Sequence, residues 1–153
     1  MEYDENIPKL ENVDNTEIDS LLQNLVLLTD LSDIDFGITI QVGSNFISGR
    51  VISKKEYLAQ NVNALKEIAK SSTSGSLDFL QKLFADKTQE EEKWVSSAVN
   101  ENFAEETNLK RKPEALHLRN ARLYSFSSIK SFEIPLLRVK LSSVDSFFLG
   151  EFV

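Results

Sequence analysis

Residues 36–52 constrain the fold of this chain most. Phe36, Ile38, Ile40 and Val42 alternate with Gly37, Thr39 and Gln41, the period-2 pattern of a strand with one buried face. Gly43-Ser44-Asn45 supplies the turn, and Phe46 to Ile52 returns as a second strand. Gly49 lies inside that second strand, where it predicts a bulge or sharp bend such as the corner of a small barrel. An isolated two-stranded hairpin is marginal in water, so the remaining chain must provide partner strands and an apolar cover.

Both are legible in the flanking sequence. Residues 1–15 are acidic, contain Pro8 and show no period, which predicts a flexible tail. Thr16-Glu17-Ile18-Asp19 resembles a capping box, followed by a helix over 16–29 with Ile18, Leu21, Leu22, Leu25 and Leu28 on one face. Ser53-Lys54-Lys55-Glu56 is a full capping box and opens a helical block over 54–109. Ser71 to Ser76 interrupts that block as a joint, and Thr88-Gln89-Glu90-Glu91 predicts a further helix start. Strand patterns resume after Pro113. Leu116 and Leu118 alternate with His117 and Arg119, and the phase then slips at Asn120-Ala121, as a bulge would make it. Residues 125–133 read as a loop, and Leu137, Val139 and Leu141, then Val144, Phe147 and Leu149, mark two last strands. The expected fold is α+β: one domain over 16–153, with a five-stranded antiparallel barrel of Sm or SH3 type. Its strands lie in 34–52 and 114–153, a helix precedes it, and the helical insertion separates strands 2 and 3.

Chemistry is constrained mainly by what is missing. The 153 residues include no cysteine and one histidine, which excludes disulfides, thiolate metal sites and cysteine nucleophiles. His117 has no nucleophile partner fixed by a motif, and a lone strand histidine is usually packed or superficial. Asp33 and Asp35 lack calcium-loop spacing. Glu90, Glu91 and Glu92 fit a helix start, and Glu101 and Glu105 share a helix face without the histidine of a metal motif. There is no phosphate loop, dinucleotide fingerprint or nucleophile elbow. The expectation is therefore no enzyme, no catalytic residue, no metal site and no cofactor. The N-terminus lacks the basic start and apolar run of a signal peptide, and no apolar stretch is long enough to span a membrane, so a cytoplasmic protein without membrane contact is expected.

Charge is uneven. The net charge is −7, and residues 1–35 alone hold ten acids against Lys9. That disfavours nucleic acid as a partner, because phosphate contacts need free Lys and Arg. Residues 110–140 nevertheless hold eight bases against two acids, with Tyr124, Phe126 and Phe132 among them. Basic plus aromatic composition suits a single-stranded RNA platform, but outward charges on a half-buried sheet explain it more simply. The insertion is acidic and carries Phe79, Trp94 and Phe103, which serve either as core or as an arm that docks a partner.

Two blocks carry a family resemblance. Ile38-Thr39-Ile40-Gln41-Val42-Gly43 followed by Phe46-Ile47-Ser48-Gly49-Arg50-Val51-Ile52-Ser53-Lys54-Lys55-Glu56-Tyr57 resembles the first signature of the gas vesicle accessory protein GvpU family. Leu116-His117-Leu118-Arg119-Asn120-Ala121-Arg122-Leu123-Tyr124 is similar to its His-Leu-Lys-Asn strand. Leu141 to Gly150 is similar to its closing Val-Asp-Gly-Phe-Leu-Gly run, with Asp145-Ser146 in place of Asp-Gly. The resemblance implies a non-enzymatic accessory factor of gas vesicles, acting through protein–protein contacts in vesicle assembly or clustering. Its partners would be the vesicle shell or other accessory proteins, with self-association through a barrel edge. Arg119, Arg122, Arg138 and Lys140 are the candidates for charged contact and Trp94 for apolar contact. An Sm-like RNA-binding protein or a general adaptor is the alternative.

Overall fold

The computed structural model describes residues 17–71, 75–100 and 111–152. The acidic tail, the capping role of Thr16, Phe103, Glu101, Glu105 and the end of the helical insertion lie outside the described residues. Helix α1 (Ser20–Ser32) precedes the hairpin of β1 (Phe36–Val42) and β2 (Asn45–Ile52). Helices α2 (Lys54–Ala69) and α3 (Ser76–Asn100) follow, then β3 (Ala115–Ser125), β4 (Ser128–Lys140), a single 3-10 turn and β5 (Ser146–Leu149). The chain is thus α+β, and the helices interrupt the strand order after β2 as the sequence predicts.

All strand pairs are antiparallel, in the order β4-β3-β2-β1-β5. The expected closed barrel does not form. The ends of the sheet, β4 and β5, pair with β3 and β1 and not with each other. The four residues of β5 are matched along their whole length by β1 and offer little ladder for a second partner. Pro135 sits within β4, a position that only an edge strand tolerates because proline cannot donate to a second ladder.

One face of the sheet is the core. Ile38 and Ile40, Ile47 and Val51, Leu116, Leu118 and Ala121, and Val139 pack together under Leu22 and Val26 of α1. The buried stripe of α1 is Leu22, Val26 and Thr29, whereas Leu21 and Leu28, expected on that stripe, are exposed. The helix also starts later and ends later than its sequence suggests. Asp19 is the cap, its carboxylate accepting the N–H groups of Leu21 and Leu22 at 2.9 and 3.0 Å. Burial of Asp30 and Leu31 carries the helix to Ser32. Ser53 caps α2 as predicted, accepting from the Glu56 N–H at 3.1 Å. Thr88 starts no helix. It lies inside α3 and donates to the Phe84 carbonyl at 2.8 Å, the alternative use of a mid-helix threonine. Residues 128–133, expected as loop, belong to β4. Their sequence alternates poorly, but the backbone ladder to β3 continues through Phe132 and Glu133.

The bulge is where the sequence puts it. Ser48 pairs with Arg122 and Arg50 with Arg119, so Gly49 faces two residues of β3, Asn120 and Ala121. Asn120 takes a left-handed φ of 50°. A Cβ at Gly49 would meet the Ala121 Cα at 3.1 Å and the Arg119 carbonyl at 3.3 Å. Both are backbone atoms of the neighbouring strand and yield little. Gly49→Ala should therefore lower stability by about 1–3 kcal/mol, the usual penalty of overpacking. A urea melt with an unchanged midpoint would show that the two strands separate freely at the bulge.

Candidate functional site

The face of the sheet opposite the core divides into an aromatic end, a central row of ion pairs and a polar pocket under the helices. The aromatic end gathers rings from separate segments. Phe46 of β2 and Tyr124 of β3 are cross-strand partners, and Phe126 occupies the β3–β4 turn. Phe46 and Phe126 meet edge to face with centroids 5.0 Å apart. Phe152, beyond β5, contacts Phe46, Tyr124 and Phe148 at 6.1, 5.5 and 5.6 Å. Such pairs prefer these tilted geometries because ring faces are electron-rich and edges electron-poor.

The C-terminal segment is held onto the sheet by hydrogen bonds. The Gly150 N–H donates to the Gly37 carbonyl at 2.8 Å, and the Thr39 hydroxyl donates to the Gly150 carbonyl at 2.8 Å. The Phe152 N–H donates to the Ser48 hydroxyl at 2.8 Å. Gly37 permits this approach: a Cβ there would meet the Glu151 Cγ at 2.8 Å. The rings are still open to solvent. Phe126 is 71% exposed, Phe148 47% and Phe152 42%. A groove of about 540 Å³ runs beside Phe152, between Arg122, Glu133, Pro135 and Glu151.

Arginines border the aromatic end, and each is already paired. Arg50 reaches Asp35 at 3.0 Å and Glu151 at 3.4 Å, and Arg119 also binds Asp35. Arg122 faces Glu133 at 3.5 Å. The Arg50 hydrogen bond, with Arg119 adding to it, holds the Asp35 carboxyl below its ordinary range. Arg119 and Arg122 thus lie together on this face, as partners of carboxylates and not as free cations.

The other candidates lie elsewhere. Lys140 is exposed at the end of β4. Trp94 is half-buried on α3, with the Arg111 guanidinium 4.4 Å from its ring. Arg138 points to the third region, a pocket of about 260 Å³ lined by Asp30, Lys54, Arg111, His117 and Arg138. Here Tyr57 of α2 stacks on His117 with centroids 4.5 Å apart. Glu91 of α3, 4% exposed, accepts from Arg111 at 2.7 Å and lies 3.9 Å from the Lys54 ammonium. The insertion therefore packs on the sheet through this pocket.

Burial sets the ionisation of the pocket. The His117 pKa is pushed down to about 3 by burial and by the positive charges of Arg138, Lys54 and Arg111, so the ring is neutral at physiological pH. Its Nε2 is held by Arg138 at 2.8 Å, which does not suit a general base. Asp30 is pushed up to about 6 by burial, although it accepts the Lys54 backbone N–H at 2.8 Å. Burial also lowers the Lys54 pKa, with Arg111 adding to it. Among the described residues, no group of three His, Asp or Glu side chains converges as a metal site would require, and no helix is long and apolar enough to cross a membrane.

Phe46, Phe148 and Phe152 are the part of this face that the sequence candidates omit. Phe46 and Phe148 each sit beside a core-facing residue, Ile47 and Phe147. Their outward phase was the available signal. The position of Phe152 depends on the path after Gly150, which no periodicity reports.

Among curated proteins and among solved structures, nothing matches this chain. A family model, described as Gas vesicle protein GvpU-like, matches residues 19–152, which include α1, the whole sheet and the C-terminal aromatic segment. The chain belongs to the GvpU-like gas vesicle protein family.

Proposed function

We propose that the protein is a non-enzymatic accessory factor of gas vesicles that acts by protein–protein contact through the aromatic end of its sheet. The observation that carries this is the cluster of Phe46, Tyr124, Phe126, Phe148 and Phe152 on an open face, with Phe126 71% exposed. Protein interfaces concentrate their energy in aromatic anchors surrounded by arginine and polar groups. The bordering Arg119 and Arg122 fit that rim, where paired charges orient a partner more than they strengthen it. RNA binding is the weaker reading. Arg50, Arg119 and Arg122 would have to exchange carboxylates for phosphates, in a chain of net charge −7.

Flotation tests the proposal. Purified protein is mixed with gas vesicles and centrifuged, and the floating layer is assayed at low and moderate salt. The wild type should rise with the vesicles at moderate salt. Phe126→Ala should bind at least ~30-fold more weakly, the loss expected of a contact worth about 2 kcal/mol. A wild type that stays below at both salt concentrations, or a variant that floats equally well, would overturn it.

A further inference from the structure

The pocket beside His117 has no part in the contact proposed above. Its volume of about 260 Å³ is far more than one water needs. Its lining is rich in cations. Lys54, Arg111, Lys112 and Arg138 face Asp30 and Glu114, with Glu91 behind. The two buried acids are already engaged: Asp30 accepts the Lys54 N–H, and Glu91 accepts from Arg111.

Arg138 is different. Among the described residues it pairs with no carboxylate, and its Nη1 donates instead to a neutral imidazole, His117 Nε2, at 2.8 Å. Arginine offers only donors, so this bond makes Nε2 the acceptor and places the imidazole proton on Nδ1. His117 is 2% exposed, and among the described residues its Nδ1 has no hydrogen-bond partner. A buried N–H is normally satisfied. Among the described residues, the pocket therefore combines a guanidinium without a counter-charge and a lysine ammonium, beside a buried imidazole whose Nδ1 has no acceptor.

We propose that this pocket binds a small oxyanion, the phosphate or carboxylate group of a metabolite, with Arg138 and Lys54 supplying charge and His117 Nε2 holding the Arg138 guanidinium in place. This site is separate from the aromatic end, and its failure would leave the vesicle contact untouched.

The test uses the full chain labelled with nitrogen-15 and follows the His117 ring nitrogens by long-range proton–nitrogen correlation at pH 7. Sodium phosphate and sodium acetate are titrated separately, each against sodium chloride at equal ionic strength. A saturable ring-nitrogen shift with phosphate, acetate or both, carried through the Arg138–Nε2 hydrogen bond, supports the site, and the tighter ion identifies the ligand's anionic group. Arg138→Gln should weaken that binding at least tenfold without unfolding the protein, because the Arg138 side chain is exposed. The proposal is overturned if neither anion moves either ring nitrogen beyond chloride, or if Arg138→Gln binds as tightly as the wild type.

Discussion

Asp30→Asn should make the protein acid-sensitive between pH 6 and pH 4 by about 3 kcal/mol relative to the wild type, and His117→Gln should change stability in the opposite direction over the same range. The two groups are displaced from their ordinary values in opposite senses. His117 falls from 6.5 to about 3, so below pH 6.5 the unfolded chain takes up a proton that the native chain refuses. That contribution to stability is lost as the pH falls. Asp30 rises from 3.8 to about 6, so below pH 6 the native chain takes up a proton that the unfolded chain refuses until near pH 4. Stability from this group is fully present below 3.8 and is lost as the pH rises through 6. Between about pH 4 and 6 the two proton uptakes cancel, and the pocket contributes almost no pH dependence.

Removing either partner exposes the other. One pKa unit corresponds to about 1.4 kcal/mol, and the shared window spans about two units. Asparagine keeps an acceptor for the Lys54 N–H, so the cap on α2 survives the substitution. Denaturant melts at pH 4, 5, 6 and 7, taken as differences from the wild type, cancel the background from other carboxylates. Parallel curves for Asp30→Asn and the wild type would mean that Asp30 titrates in the native protein as it does unfolded.

The same pocket marks the limit of what the sequence alone reveals. The hairpin was legible because a two-residue period and a glycine turn are local facts, and the bulge because a phase slip is local too. The cap on Ser53 was legible for the same reason. The pocket is assembled from α1, α2, the segment before β3, β3 itself and β4, and no spacing connects Asp30 to His117. Arg119 and Arg122 were visible in a basic run, but Arg119 is paired with Asp35, far away in sequence, and Arg122 with Glu133 across the β3–β4 hairpin. Five strands in the sequence do not make a closed barrel, because strand count is a sequence property, whereas closure depends on which edges meet. Here the short β5 pairs with β1 alone.

Leu118→Ala should cost about 2–5 kcal/mol of stability, or roughly 4–20 °C in Tm, while leaving the vesicle contact of the folded fraction unchanged. Leu118 is fully buried on β3, among Ile38, Val51, Leu116 and Val139 beneath α1. Strands on both sides of β3 fix its surroundings, so the cavity left by truncation collapses poorly. Phe126→Ala should behave in reverse. Its ring is mostly in water and pairs with one aromatic ring among the described residues, Phe46, so its removal should move stability by no more than about 0.5 kcal/mol while flotation is lost. Core and contact surface lie on opposite faces of one sheet, and adjacent residues such as Phe46 and Ile47 serve one each. Thermal melts and flotation of the two variants side by side measure that division. A Phe126→Ala variant that melts as early as Leu118→Ala would make the aromatic end part of the folding core and remove it as a surface available to a partner.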